Sequence, residues 1–493
     1  MKLDCILKKC RSKFSVENFK NILVKGISTN SQKIKNNFVF GTLKGTSFDG
    51  EFFLKDIFKY SPLVIILNKN SKKKISYKSH KKLTVIKTEN VKELVSEISS
   101  ILYESTFKEI VAVTGTNGKT SVCDYTRQLW TLKKIKSASI GTLGIILKNK
   151  KIDDLDLTTP DFCEIKSILH SLSKNNCEKV IIEASSIGLD QERLKSLKFN
   201  KVVFTNLTLD HLDYHKNFDN YKKSKAILFH KHTDQNSTAI INTNATNSSY
   251  FKKICQKNNI PILDYGKDAD FLIIKNIQRF ESFYEVNFVL KKKKFSIKFY
   301  CFSMFEIYNK IAALIIVFGK KITSESFNLL KKIENPSGRL EKIKNKKKLN
   351  IFVDYAHTPD ALENVLFSLR KNCKGKIITV FGCGGNRDNS KRPLMTLQAL
   401  KYSELVVITD DNPRNENPKN IRNDMTKNLK KKDLESIKEI SSRKKAITYS
   451  IDQLAQNDCL LIAGKGHEEY QIIKNKKSFF SDKKIVLDYI NQR

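Results

Sequence analysis

Short, uninterrupted apolar runs rich in β-branched side chains recur along this chain, each closed by a polar or glycine-bearing turn. They occupy residues 108–114, 179–183, 201–205, 239–242, 351–354, 376–381, 404–409 and 459–463. A strand with one wet face alternates apolar and polar residues, whereas a strand buried on both faces does not. Runs of this kind therefore suit a mainly parallel sheet covered on both sides. Amphipathic segments separate the runs, as crossover helices require, and an α/β fold class follows. Residues 271–300 differ: they alternate, with the lysines 291–294 as a charged turn, and read as an antiparallel hairpin added to the central sheet.

A chain of 493 residues has room for several cores. The pattern breaks near residue 103 and again at Asn335-Pro-Ser-Gly338, which predicts three domains over 1–103, 104–335 and 336–493. No run approaches the roughly 18 to 20 uncharged apolar residues of a membrane helix, and the first residues lack a secretory pattern, so no membrane insertion and a cytoplasmic location are expected. Ninety Lys and Arg against 51 Asp and Glu give a net charge of +39. Such a charge suits nucleic acid, but lysine is spread with Asn and Ile through every segment, and neither a stacking platform nor a recognition helix is present. No specific nucleic acid partner is expected, and a basic nucleic-acid-binding ATPase is the alternative from a different class. Ten cysteines fall without CxxC or Cys/His spacing, which argues for reduced thiols rather than disulfides or a zinc site.

The sharpest chemical signal is Val111-Ala-Val-Thr-Gly-Thr-Asn-Gly-Lys-Thr-Ser121, a buried strand running into a glycine loop, with an amphipathic helix over 122–130. Gly115 and Gly118 let backbone N–H groups turn inward, and the helix N-terminus that follows favours anions. Lys119 can reach the terminal phosphates, and the Thr120 hydroxyl can ligate Mg²⁺. A nucleoside triphosphate site follows, although Val113 stands where the ordinary phosphate loop has its first glycine.

This loop resembles the ATP loop of the Mur ligases, and further segments agree in order: Leu157-Thr-Thr-Pro-Asp161, Glu183-Ala-Ser-Ser186, Asp210-His-Leu-Asp-Tyr-His215, Asp354-Tyr-Ala-His357, Phe381-Gly-Cys-Gly-Gly385, Asp411-Asn-Pro-Arg414 and Gly464-Lys-Gly-His-Glu468. The resemblance implies a central, mainly parallel P-loop-like ATPase domain and a C-terminal Rossmann-like domain. It implies an ATP-dependent amide ligase that makes an acyl phosphate, uses Mg²⁺ and acts as a monomer on small molecules. Gly115, Thr116, Asn117, Gly118, Lys119, Thr120, Ser121, Asn309, Arg339, Asp354 and His357 would bind ATP. Thr120, Glu183, His211 and Lys225, the last as a carbamate, would hold metal, with Lys119, Glu183, His211 and Lys225 catalytic. Thr29, Ser31, Thr46, Ser47, Phe48, Thr158, Thr159, Ser185, Gln191 and Arg193 would bind a UDP-linked muramoyl dipeptide.

The amino acid added is legible in the third domain. Meso-diaminopimelate carries a carboxylate at its far end that lysine lacks, so a site for it needs a cation there, which also repels lysine. Arg414 is that cation, and its tetrapeptide resembles the diaminopimelate-adding type. Arg387, Asp411, Asn412, Pro413, Arg414, Gly464 and Glu468 form the expected amino-acid site. A lysine-adding ligase and a folylpolyglutamate synthase relative are the alternatives within the superfamily. Four departures stand out: Ile187 where His is usual, Glu306 where Asn is usual, Ser303 for Gly, and Asn30-Ser-Gln32 for Asp-Ser-Arg. Glu306 is the sharpest, because a carboxylate near triphosphate is repelled unless compensated.

Overall fold

The computed structural model describes residues 1–45, 49–73, 75, 80–280 and 283–492. It forms two compact units, one of Met1–Ile110, Thr159–Val180 and Gly188–Lys198, the other of Val111–Thr158, Ile181–Ile187 and Phe199–Arg493.

In the first unit, five strands lie in the order Phe14–Glu17, Leu83–Thr88, Leu63–Asn68, Phe38–Gly41, Gly26–Ser28. All neighbours are parallel except the first pair. The strand Leu63–Asn68 is buried along nearly its whole length because apolar clusters cover both faces of the sheet. The helices Val91–Leu102 and Phe162–Lys174 cover one of those faces. The latter begins where Asp161 accepts from the Cys163 and Glu164 N–H groups, an N-cap.

The second unit contains the expected parallel sheets. Strands Lys201–Phe204, Thr238–Asn242, Ile262–Gly266 and the start of Leu272–Arg279 run parallel beside Glu109–Thr114 in an eleven-stranded sheet. Both edges turn antiparallel. The expected hairpin is in fact a three-stranded meander, Leu272–Arg279, Tyr284–Leu290 and Lys293–Phe299. Its lysine turn is only Lys291 and Lys292, both in the left-handed region at φ 49° and 66°, as the tight turns that match strand twist require. Lys293 and Lys294 already belong to the next strand, where exposed lysines face water.

The C-terminal sheet runs Glu341–Lys342, Asn350–Asp354, Cys459–Ala463, Ile377–Phe381, Leu405–Ile408, Ile437–Glu439, parallel after its first pair. Cys459–Ala463 and Ile377–Phe381 are buried at every residue, the two-sided burial that their unbroken apolar sequences imply. Among the described residues no helix is long and apolar enough to cross a membrane. All ten cysteines are free thiols, and only Cys5 and Cys10 are not buried.

Candidate active site

The phosphate loop follows the buried strand Glu109–Thr114 and opens the helix Lys119–Leu132, three residues earlier than periodicity predicts. Gly118 sits at φ +86°, and a Cβ there would lie 2.5 Å from Asn309 Oδ1, so the loop needs glycine to turn and to accept Asn309 against it. Lys119 Nζ donates to the carbonyls of Gly115 and Thr116, both at 2.8 Å. Its ammonium is thus parked on the loop it is expected to serve. Asn117 N–H donates to Asn206 Oδ1 at 2.8 Å and its Nδ2 to Asp360 Oδ2 at 3.1 Å, which ties the loop to the start of the helix Pro359–Asn372.

Beside the loop, the Thr120 hydroxyl donates to Glu183 Oε2 at 3.0 Å. Glu183 ends the buried strand Lys179–Glu183, and Thr142 holds the rest of its carboxylate, N–H to Oε1 at 2.8 Å and Oγ1 to Oε2 at 3.1 Å. Thr158 joins this cluster through the Thr142 hydroxyl at 3.2 Å. Gly141 makes room: a Cβ on it would lie 2.2 Å from Glu183 Oε1. Neither Gly141 nor Thr142 stands out in the sequence, since a Gly-Thr pair after a short strand has the look of an ordinary turn.

Lys225, fully buried on the helix Phe218–Lys231, donates to the Gly115 carbonyl at 2.9 Å and lies over the Tyr221 ring at 4.4 Å. Burial, reinforced by the Lys119 charge, holds its pKa well below that of an ordinary lysine, with Asp210 opposing. His211 stands 3.5 Å from Asp210 Oδ2, and burial lowers the imidazole's pKa against the pull of Asp210. Burial would raise the Asp210 carboxyl, but His211, His357, Lys391 and Lys119 outweigh it and lower it. His357 donates Nδ1–H to the Tyr355 carbonyl at 2.8 Å, and burial together with Lys391 lowers it to about 4, so it is neutral near pH 7. Asp354 accepts from Ala356 N–H at 2.7 Å and from Leu340 N–H, which binds it to the linker rather than to open solvent.

The linker itself reaches the phosphate loop. Arg339 Nη2 donates to Thr120 Oγ1 at 3.1 Å while its guanidinium lies over the Tyr355 ring at 4.6 Å. Gln128 exchanges two hydrogen bonds with Glu334, each 2.9 Å, and Tyr125 Oη donates to Asn335 Oδ1 at 2.6 Å.

Glu306 is not loose near phosphate. It is buried in the first turn of the helix Met304–Phe318, where its Oε1 accepts from Phe302 N–H at 3.2 Å and the Ser303 hydroxyl at 3.3 Å. Burial raises its pKa, while Lys310 and a bond from Asn335 oppose that. Ser303 caps the same helix, so the two departures from the family pattern answer each other.

The amino-acid residues gather on the loops at the carboxyl edge of the C-terminal sheet. Arg414 Nη1 donates to the Gly385 carbonyl at 2.9 Å. A Cβ on Gly384 would lie 2.9 Å from that Nη1 and 3.8 Å from Arg387 Cγ, so the Arg414 guanidinium and the Arg387 stem flank one glycine. Asn412 Nδ2 donates to Glu468 Oε2 at 3.0 Å, and the Pro413 carbonyl packs on Gly385. His467 hydrogen-bonds the Thr142 backbone, and burial beside Arg339 lowers its imidazole to about 3. The segment carrying Glu468 is therefore bonded to the segment that holds Glu183. Lys465 and Arg443, both fully buried, are not visible as site residues in a sequence with 90 cations.

In the first unit, Ser31 opens a short 3-10 helix capped by Asn30, whose side chain accepts from Gln32 N–H at 2.9 Å, with Thr29 beside it. Asparagine caps as well as the aspartate it replaces. Arg193 donates to the Thr159 carbonyl at 2.9 Å and to Gln191 Oε1 at 2.7 Å. Ser185 follows Glu183 half-buried in the second unit. Thr46, Ser47 and Phe48 lie outside the described residues. Nothing in the structure explains Ile187.

Among the described residues no three His, Cys, Asp or Glu side chains gather into a metal cage. Mg²⁺ takes few protein oxygens and completes its shell with water and phosphate, so the adjoining Thr120 hydroxyl and Glu183 carboxylate fit it.

The sequence matches two family models. Residues 113–317 match the Mur ligase middle domain and 338–466 the Mur ligase glutamate ligase domain. The chain belongs to the Mur ligase family. This Mur ligase is an ATP-dependent ligase, as its phosphate loop requires. It is 40% identical over 95% of its length to the UDP-N-acetylmuramoyl-L-alanyl-D-glutamate--2,6-diaminopimelate ligase of Rickettsia montanensis, covering 96% of that protein. The Clostridium acetobutylicum ligase 2 of that name is 36% identical, with 94% of this chain and 95% of that one covered. A solved ligase of the same description superposes with a TM-score of 0.63 at 29% identity, covering 95% of each chain. A Mycobacterium tuberculosis folylpolyglutamate synthase shares the fold alone, at 14% identity and a TM-score of 0.61, over 74% of this chain and 89% of that one.

Proposed function

We propose that this Mur ligase adds meso-diaminopimelate to UDP-N-acetylmuramoyl-L-alanyl-D-glutamate in the cytoplasm, as a step in building peptidoglycan precursors. One observation carries the reading. The Arg414 guanidinium and the aliphatic stem of Arg387 flank Gly384, while the adjoining Asn412 is bonded to Glu468. Two arginines and a carboxylate carried on neighbouring loops suit an amino acid whose far end carries both a carboxylate and an ammonium. Relatives that are 36 to 40% identical over nearly the whole chain bear that activity in their names.

A carboxylate resists attack by an amine until one of its oxygens is converted into a leaving group. The dipeptide carboxylate takes the γ-phosphoryl of ATP and releases ADP. The neutral amine of diaminopimelate then attacks the acyl carbon, the C–O bond to phosphate breaks, and the amine proton is lost. In this reading, residues 115–121 cradle the phosphates and Lys119 leaves its carbonyl partners to neutralise the transferring group. Asn309, Arg339, Asp354 and His357 surround the nucleotide. Thr120, Glu183, His211 and carbamylated Lys225 would hold Mg²⁺, which supplies charge neutralisation at the phosphates. Lys225 is suited to carbamylation: only a neutral amine can attack the carbon of CO₂, and burial beside Lys119 favours the neutral form. Thr29, Ser31, Thr46, Ser47, Phe48, Thr158, Thr159, Ser185, Gln191 and Arg193 are assigned to the UDP-linked dipeptide, within a division of the chain at 103 and 335.

The test is phosphate release by purified enzyme with ATP, Mg²⁺ and the UDP-linked dipeptide against a panel of amino acids. Release with meso-diaminopimelate and at least tenfold less with lysine is expected. Equal release with both would refute the role given to Arg414.

A further inference from the structure

We propose that Lys465 is a positioning residue for amino-acid selection: its ammonium locks one oxygen of Glu468, leaving the other to receive the substrate's distal ammonium. This deepens the functional reading above and rests on it.

Lys465 has no exposed surface. Its Nζ donates to Asn412 Oδ1 at 3.1 Å and to Glu468 Oε2 at 3.2 Å, with Asp411 Oδ1 at 3.8 Å. Asn412 closes a triangle by donating Nδ2 to the same Glu468 Oε2 at 3.0 Å. Its Oδ1 also accepts from the Ile472 N–H at 2.9 Å, which fixes the amide's orientation. An ammonium has three donors and no acceptor, and burying one is costly unless carboxylates and dipoles surround it. Here they do.

The consequence is directional. Two donors on Oε2, together with the Tyr470 hydroxyl that also bonds the carboxylate, determine how Glu468 is rotated and so which oxygen is left for the substrate. The cation also faces both Glu468 and Asp411, a second acid that would otherwise repel it. Asp411 is framed on its other side by Arg443, whose Nη1 lies 3.9 Å away and whose remaining nitrogens hold Asp482 and the Ala463 carbonyl. Lys465 and Arg443 are thus the two buried cations of this set of charges. Removing the Lys465 charge while keeping its length takes one donor from Oε2 and lets the repelling Asp411 turn Glu468 against its remaining partners.

Four proteins decide the matter: wild type, K465M, E468Q and the double variant K465M/E468Q. Each is assayed for phosphate release with ATP, UDP-linked dipeptide and meso-diaminopimelate varied in turn, and each is melted. K465M is expected to raise the KM for meso-diaminopimelate at least tenfold, leaving the KM values for ATP and the UDP-linked dipeptide within twofold. In the double variant that KM should match E468Q within twofold, because the lysine is proposed to reach the substrate through Glu468. A merely structural lysine would lower the melting temperature with the diaminopimelate KM within twofold of wild type, and that result overturns the proposal. So does a double variant whose KM exceeds that of E468Q tenfold. Should K465M not fold, this last comparison still decides, since the unpaired carboxylate is gone from both proteins. A wild-type enzyme that turns over without responding to meso-diaminopimelate refutes the substrate assignment itself, and with it the proposal.

Discussion

Gly141→Ala is the smallest change that should disable this enzyme, although Gly141 carries no functional group. Its φ is ordinary, so alanine brings no backbone strain and only the space matters. The new methyl would sit 2.2 Å from Glu183 Oε1, 2.5 Å from its Cγ and 2.6 Å from its Cδ. Ordinary contact is about 3.5 Å, so the carboxylate must retreat by roughly 1 Å or the strand end must move by as much. Neither is free, because Thr142 N–H, Thr142 Oγ1 and Thr120 Oγ1 hold the two oxygens at 2.8, 3.1 and 3.0 Å. Overpacking of one methyl costs about 1 to 3 kcal/mol of stability, which a domain of this size survives. Displacing a phosphate-site ligand by about 1 Å costs about 100-fold in turnover, or about 2.7 kcal/mol of transition-state stabilisation. Phosphate release measured at saturating substrates over a Mg²⁺ titration should show both the drop and a rise in the Mg²⁺ needed. A folded variant with turnover within threefold of wild type and an unchanged Mg²⁺ titration would show that Glu183 does not act where its geometry places it.

Asp482→Asn should cost about 3 to 5 kcal/mol in urea unfolding, because it strands the Arg443 guanidinium with no exposed surface; a loss below about 1 kcal/mol would contradict the buried pairing. Arg414→Ala should raise the KM for meso-diaminopimelate about 10- to 100-fold with the KM for ATP unchanged, as loss of a charged hydrogen bond implies, and the same assay with lysine should show the discrimination shrinking. Glu306→Gln should flatten the pH dependence of stability. The native Glu306 carboxyl is held above the usual 4.5, so its contribution is fully present below that value and is lost as pH rises through the native pKa. Denaturation between pH 4 and 8 should therefore show wild type losing ground to E306Q with rising pH, by no more than about 1.4 kcal/mol per unit. Parallel curves for the two proteins would mean that Glu306 titrates as it does in the unfolded chain.

The parallel strands are legible because two-sided burial leaves an unbroken apolar signature, and all eight runs named from the sequence are strands. The meander reads one strand short, since the break between Arg279 and Tyr284 carries no Gly, Pro, Asn or Asp to mark a turn, while the exposed Lys293 and Lys294 lengthen the turn that is read. At the site, Lys119, Thr120 and Glu183 declare themselves by motif, and the structure brings Thr120 onto Glu183. Gly141 and Thr142 do not, because their part is to make room and to donate a backbone N–H, which any small residue can do in some fold. Lys465 and Arg443 are hidden by composition: where 90 residues are cationic, only burial distinguishes the few whose charge is structural.

Glu306 shows how a departure from a family pattern becomes tolerable. At that position an asparagine could donate and accept, while a carboxylate can only accept. The chain around Glu306 supplies donors instead: the Ser303 hydroxyl, the Phe302 N–H and Asn335, with the Lys310 charge nearby. Asn335 in turn accepts from Tyr125 on the phosphate-loop helix. The same asparagine therefore serves a buried acid on one helix and the nucleotide helix on another, and it lies in the linker four residues before Arg339, which reaches Thr120. Glu306 and Ser303 are then coupled changes: S303G alone removes a donor from a buried carboxylate, whereas S303G/E306N removes the donor and the carboxylate together. The single change S303G should lose about 1 to 3 kcal/mol of stability, the cost of a buried acceptor left short. The double change should recover most of it, and a double variant no more stable than S303G would show that the two positions drifted independently.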